Sequence, residues 1–159
     1  MKDLSKEYEY AGFWIRVWAD IIDTLILAII IAPLLTLIYG ESYWEQPIDK
    51  ISIKGFYDVF LNYILPAVAV ICFWTYKSTT PGKMAIKAKI ADAKTGEEIS
   101  VTQAIIRYLG YFISSIPIGL GLFWIAWDSR KQGWHDKIAG TVVIRLKNRD
   151  PEPVIFPEK

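Results

Sequence analysis

Charge disappears from three stretches of the chain. Thr24 to Tyr39 carries none, with an apolar pattern reaching back to Phe13, and the runs Val59–Tyr76 and Tyr108–Trp127 are also uncharged. A hydrocarbon core about 30 Å thick takes roughly 20 mostly apolar residues in a helix. Residues 13–39 and 59–76 therefore predict two full transmembrane helices. The third stretch, 108–127, holds Pro117, Gly119 and Gly121 near its middle. Such residues break or kink a helix, so this segment predicts either a kinked span or a re-entrant hairpin. Trp14, Trp18, Tyr43, Trp44, Trp74, Tyr76, Trp124 and Trp127 flank the stretches, as expected of rings that collect at headgroup level.

Between the second and third stretches the period changes to two. Met84, Ile86, Ala88 and Ile90 alternate with Lys83, Ala85, Lys87 and Lys89, which predicts a half-buried strand over 83–91. Asp92 to Gly96 reads as a turn. Thr141 to Lys147 is β-rich and predicts a second strand. The two are natural antiparallel partners if they lie on one side of the membrane, which favours the hairpin form of 108–127. Ser100-Val101-Thr102-Gln103 is a capping box that starts a helix near Val101. Thr80-Pro81-Gly82-Lys83 lacks the upstream glycine of a phosphate loop, since Lys77 stands there, and reads as a Pro-Gly turn. The class is an all-α integral membrane protein with a small β pair, one domain over 1–147, and a proline-rich disordered tail over 148–159.

Composition adds to this frame. The 159 residues are 53% hydrophobic, 14% aromatic and 22% charged, with a formal net charge of +1. So apolar a chain is not disordered, and its charge gives no reason to expect nucleic acid. The lone Cys72 excludes an internal disulfide and reads as a packed or lipid-facing thiol. The loop Gly40–Asp58 has two lysines and four acids, whereas 77–107 has six Lys/Arg and the chain after Trp127 has seven. Positive residues mark the cytoplasmic side, so the N-terminus, the strands and the basic C-terminal region are expected to be cytoplasmic at the cell membrane. The mixed charges of the first ten residues predict a retained anchor, not a cleaved signal peptide.

Candidate chemistry starts on the first span. Arg16, Asp20 and Asp23 share one helical face at ~100° per residue, with Asp23 ~10 Å further along the axis than Arg16. An ionisable group inside a membrane is costly unless paired, and it is a functional candidate for that reason. A structural ion pair is the plainer reading of the same residues. Asp136, beside the only histidine (His135), is placed to cap a short helix or to pair with Arg16. One histidine cannot build a zinc site, and no catalytic motif is present, so no enzyme activity, metal or cofactor is expected.

Three stretches, Ala11–Asp23, Ser78–Asp92 and Ser129–Ile144, together resemble the RDD family of bacterial and archaeal membrane proteins. That family is named for an arginine and two aspartates, which carry over to Arg16, Asp23 and Asp136; Asp20 lies outside the pattern. The resemblance implies a membrane module for which transport, in some members sodium/proton antiport, is the suggested activity. With two or three spans a pathway needs several copies or another membrane subunit. The expectation is a homo-oligomeric ion or solute transporter in the lipid bilayer, with Asp23 binding the ion and Arg16 as its cationic partner. The alternative is a structural or accessory protein whose Arg–Asp network holds the helices and docks a partner.

Overall fold

A computed structural model describes residues 8–45 and 53–147. Strand β1 (Tyr8–Tyr10) leads into helix α1 (Phe13–Tyr39), which is 27 residues long, or about 40 Å at ~1.5 Å per residue. Gly40 ends it at φ +74°, and its N–H bonds the Thr36 carbonyl at 2.8 Å. Helix α2 (Phe56–Lys77) returns. Its turn Phe60–Ile64 is widened to π geometry just before Pro66. Proline has no N–H and crowds the carbonyl four residues back, here that of Asn62, and the wider turn absorbs both.

Residues 81–85 depart from both expectations for this stretch, the Pro-Gly turn at 80–83 and the strand over 83–91. They form a short helix, α3 (Pro81–Ala85), and strand β2 begins only at Ala88 and runs to Asp92. The reason is local. Pro81 occupies the first turn, and the Thr80 hydroxyl caps the helix by accepting from the Lys83 N–H. The Met84/Ile86 alternation yields to this cap, and Lys87 makes the bend to the strand at φ +55°. The turn after β2 is as expected, with Asp92 Oδ1 accepting from the N–H groups of Lys94 and Thr95 at 2.8 Å.

The capping box holds. The Ser100 hydroxyl accepts from the Gln103 N–H, and Gln103 reaches back to the Ser100 N–H at 3.0 Å. It opens helix α4 (Val101–Ser115). The chain then bends by 113° across residues 116–119 into the short helical segment α5 (Leu120–Ala126). Ile118 and Gly119 adopt positive φ at this corner. Helix α6 (Trp134–Ala139) and strand β3 (Thr141–Leu146) complete the fold.

The β pair is one strand larger than expected. The sheet order is β1-β3-β2, both pairings antiparallel, with Val143 opposite Ile90 and Ile144 opposite Tyr10. β2 precedes the bent α4–α5 segment and β3 follows it, so that segment leaves and returns to the same sheet. Trp74, Ala88, Ile90, Ile99, Ala104 and Val143 form a core between the sheet, the end of α2 and the start of α4. A second core of Ile31, Leu35 and Leu61 joins the two long helices farther along.

Elsewhere the apolar residues face outward. Leu25, Ile29 and Leu37 on α1 and Phe56, Tyr63 and Val68 on α2 are exposed. Helix α4 is inverted relative to a helix in a water-soluble protein: Ala104, Arg107, Gly110 and Ser114 face inward, while Val101, Ile105, Leu109 and Phe112 face out. Cys72 lies exposed on the apolar surface of α2. The described chain is thus mostly helical, with two helices long and apolar enough to cross a membrane and a bent pair as a third candidate. The tail expected over 148–159 lies outside the described residues.

Candidate functional site

Three elements distant in sequence bring their charges to one point beneath the sheet. Arg16 of α1 is 4% exposed, and Arg107 of α4 and Asp136 of α6 are fully buried. Asp136 Oδ2 accepts from Arg16 Nη1 at 2.6 Å and from the Gly133 N–H at 2.9 Å. Its Oδ1 accepts from Arg107 Nη1. The same Arg107 nitrogen donates to Thr141 Oγ1 at 2.6 Å. Arg16 Nε donates to the Ala11 carbonyl at 3.0 Å, and Nη2 to that of Lys131. Asp136 therefore does both things expected of it: it pairs with Arg16 and satisfies the start of α6.

Burial alone would raise the Asp136 pKa, but the Arg107 and Arg16 guanidiniums hold it well below the usual carboxylate range. The carboxylate is ionised and shared between two cations. Arg107 also lies over the rings of Trp74 and Tyr111, at 5.2 and 5.8 Å from their centroids. This cation–π contact offsets part of the cost of its Nε and Nη2, which have no hydrogen-bond partner.

His135 belongs to the same core. Its ring stacks on Tyr111 with centroids 3.9 Å apart, and its backbone N–H donates to Ser114 Oγ at 3.0 Å. Burial lowers its pKa to about 3, against the opposing pull of Asp136. The ring is neutral at pH 7. The close approach of α4 and α6 depends on Gly110, where a Cβ would sit 2.9 Å from His135 Cα.

The expected Arg16–Asp23 pair is not formed. Seven residues along a helix separate the two by about 10 Å, and the guanidinium turns toward Asp136 instead. Asp23 is met by α3: Oδ2 accepts from Thr80 Oγ1 at 2.5 Å and Oδ1 from the Gly82 N–H at 2.7 Å. Gly82 is required, because a Cβ there would lie 2.0 Å from the Ala19 carbonyl oxygen. Asp20 pairs with Lys83 at 2.7 Å; the lysine is 3% exposed and the aspartate side chain 53%. Thr80 follows the last residue of α2 by three positions, so Asp23 stands level with the end of the second long helix. The four expected site residues thus fall into two adjoining groups, Arg16–Asp136 and Asp20–Asp23, joined through α1.

A second polar cluster occupies the opposite end of the helix pair. Asp58 is 6% exposed. Its Oδ1 accepts from the Tyr43 hydroxyl at 2.6 Å and from Asn62 Nδ2 at 2.7 Å, and its Oδ2 from the Lys54 N–H at 3.0 Å. The Tyr39 hydroxyl accepts from the Asp58 N–H at 3.1 Å. Lys54 Nζ lies 4.0 Å from the Tyr43 ring centroid and donates to the Tyr43 carbonyl. Among the described residues no three His, Cys, Asp or Glu side chains converge on a metal position.

Sequence reasoning missed Arg107, Lys83, the Thr80–Gly82 cradle and the Asp58 cluster. Arg107 had a usable signal. Ala104, Gly110 and Ser114 stand at i−3, i+3 and i+7 from it, a small-residue face on which a cation can be enclosed.

Two long apolar helices, a bent third candidate and a buried charged cluster at one end define a small membrane protein. Residues 10–140 match the RDD family, and the chain belongs to it. It is 30% identical to uncharacterized protein RP437 of Rickettsia prowazekii, over 89% of this chain and 99% of that protein. It is 26% identical to uncharacterized membrane protein YteJ of Bacillus subtilis, over 88% and 84%. For uncharacterized protein YxaI of the same species the identity is 31%, over 84% and 96%. No solved structure matches the chain.

Proposed function

We propose that the protein moves a cation or small solute across the cell membrane as a homo-oligomer, with Asp23 as the group that takes up a proton or sodium ion. The observation that carries this reading is the company Asp23 keeps. Its carboxylate is held by a hydroxyl and a backbone N–H, while the guanidinium once expected to neutralise it is committed to Asp136. Such an acid has acceptor capacity to spare for a cation. Asp20, half-exposed beside it, forms the approach, and Lys83 is the cation that an arriving ion displaces. Copies assemble through the exposed apolar faces of α1, α2 and α4, with lipid on the remainder. In this reading the sheet is cytoplasmic, the α4–α5 segment dips into the bilayer and returns, and no catalytic step is involved. Reconstituted in proteoliposomes, Asp23→Asn is expected to abolish pH-linked cation flux. Unchanged flux in that variant removes the reading.

One observation favours the accessory alternative, in which the network only holds the helices and a second membrane protein docks on them. The Arg16–Asp136–Arg107 group is wholly enclosed, as a structural clamp requires. Cysteines placed at positions 24 and 27 separate the two. Transport predicts labelling by a membrane-impermeant thiol reagent, and a sealed clamp predicts none.

A further inference from the structure

Beside the Arg–Asp cluster lies a cavity of about 170 Å³ between the start of α1, α3 and the α5–α6 region. One wall is charged, formed by Arg16, Lys83 and Asp20, and the other is apolar, formed by Phe13, Leu122 and Phe123. The rings of Phe13 and Phe123 stack with centroids 5.3 Å apart and close the apolar side.

The charge balance of this region is uneven. Arg16 and Arg107 share the single carboxylate of Asp136, and His135 is neutral, so this group carries one positive charge in excess, while Lys83 is matched by Asp20. Donor capacity is also left over. A guanidinium has five N–H groups and an ammonium three. Arg16 uses three of its own, on Ala11, Asp136 and Lys131. The one hydrogen bond Lys83 Nζ is seen to make goes to the half-exposed Asp20. Two cations that are nearly fully buried therefore border a cavity with N–H groups to spare. Asp20, the one acid on that wall, is the group an incoming anion displaces. The apolar wall suits a hydrocarbon portion attached to that anion.

We propose that this cavity binds a phosphate-bearing group, with Arg16 and Lys83 as its donors and Asp20 as the built-in competitor for Lys83. Phosphate matches the chemistry because it offers several acceptor oxygens to convergent donors. The group comes either as the headgroup of an anionic phospholipid, with the start of its chain on Phe13 and Phe123, or as free phosphate. This goes beyond cation movement at Asp23 and does not require it.

The test uses the full-length protein in a neutral detergent, with native mass spectrometry counting bound molecules. Phosphatidic acid, phosphatidylcholine and inorganic phosphate are titrated separately. The expected result is one phosphatidic acid retained per chain. Lys83→Gln is expected to weaken it by about tenfold, as loss of one charge-assisted hydrogen bond of ~1.5 kcal/mol would do. Asp20→Asn, at an exposed position that folding tolerates, is expected to strengthen it several-fold. Displacement of the lipid by inorganic phosphate, or retention of phosphate alone with the same two variant effects, assigns the free source and keeps the site. Retention of neither ligand, equal retention of phosphatidylcholine, or affinities unmoved by both variants overturns the proposal.

Discussion

The two ends of the helix pair solve the same problem by different means. At the sheet end a carboxylate is enclosed by two guanidiniums brought from α1 and α4, 120 and 29 residues away in sequence. At the far end Asp58 is enclosed by a hydroxyl, an amide and a backbone N–H, from residues no more than 15 positions away. The first arrangement ties together distant segments and leaves charge on every partner. The second joins the end of α1 to the start of α2 through neutral hydrogen-bonding groups on the carboxylate. A buried charge that loses its counter-charge costs far more than a hydroxyl that loses an acceptor. The sheet end is therefore where the fold is most fragile, and also where it is most specific.

The sharpest break in this comparison is Asp136→Asn. Two buried guanidiniums would be left without a counter-charge, and the expected loss is about 3–5 kcal/mol, read as a large fall in the thermal midpoint of the detergent-solubilised protein. If Asp136→Asn and Asp58→Asn cost the same, the asymmetry is wrong. Acid is the next largest lever. His135 has a folded pKa of about 3 against an ordinary 6.5, so below pH 6.5 the unfolded chain binds a proton that the folded one refuses. Stability is full above that pH and falls as pH drops from 6.5 toward 3, by up to a few kcal/mol. Asp136 adds a loss of the same sign below the usual carboxylate range. Melting measured from pH 7.5 to 4 should show the slope, and His135→Gln should flatten it.

Gly82→Ala comes third. The new methyl meets the Ala19 carbonyl, which is backbone and cannot swing away, so α3 must lift from α1 at a cost of about 1–3 kcal/mol. A cysteine at position 80 should then label faster than in the parent. The smallest effect is expected at the far end. Asp58→Asn keeps an acceptor for Tyr43 and should cost only about 1 kcal/mol in the same melting assay.

The difference between the ends also explains what could be read from the chain in advance. Uncharged runs mark α1 and α2 because lipid sets their length, and the Ser100–Gln103 box marks the start of α4 because capping is local. The Asp136–Arg16 pair was visible as an option, since a lone acid beside a buried segment needs a cation. Arg107 was hidden because a basic residue just ahead of an apolar run looks like an ordinary topogenic charge. The Arg16–Asp23 pairing failed because sharing a helical face does not shorten a two-turn separation. Residues 83–85, expected as the start of a strand, became helix because an alternating pattern is weaker than a threonine cap followed by proline. β1 was overlooked for its length: three residues make a strand only when a neighbour is already in place.

The three strands of the sheet are interleaved with the helices. β1 comes before α1, β2 after α2, and β3 after the bent segment. The last of the described strands is the central one, and Asp136, the carboxylate that serves Arg16 and Arg107 among the described residues, comes just ahead of it. In order of synthesis both guanidiniums precede their counterion, Arg16 by 120 residues and Arg107 by 29. A chain cut ahead of α6 would leave both guanidiniums without that counter-charge, the same cost as in Asp136→Asn.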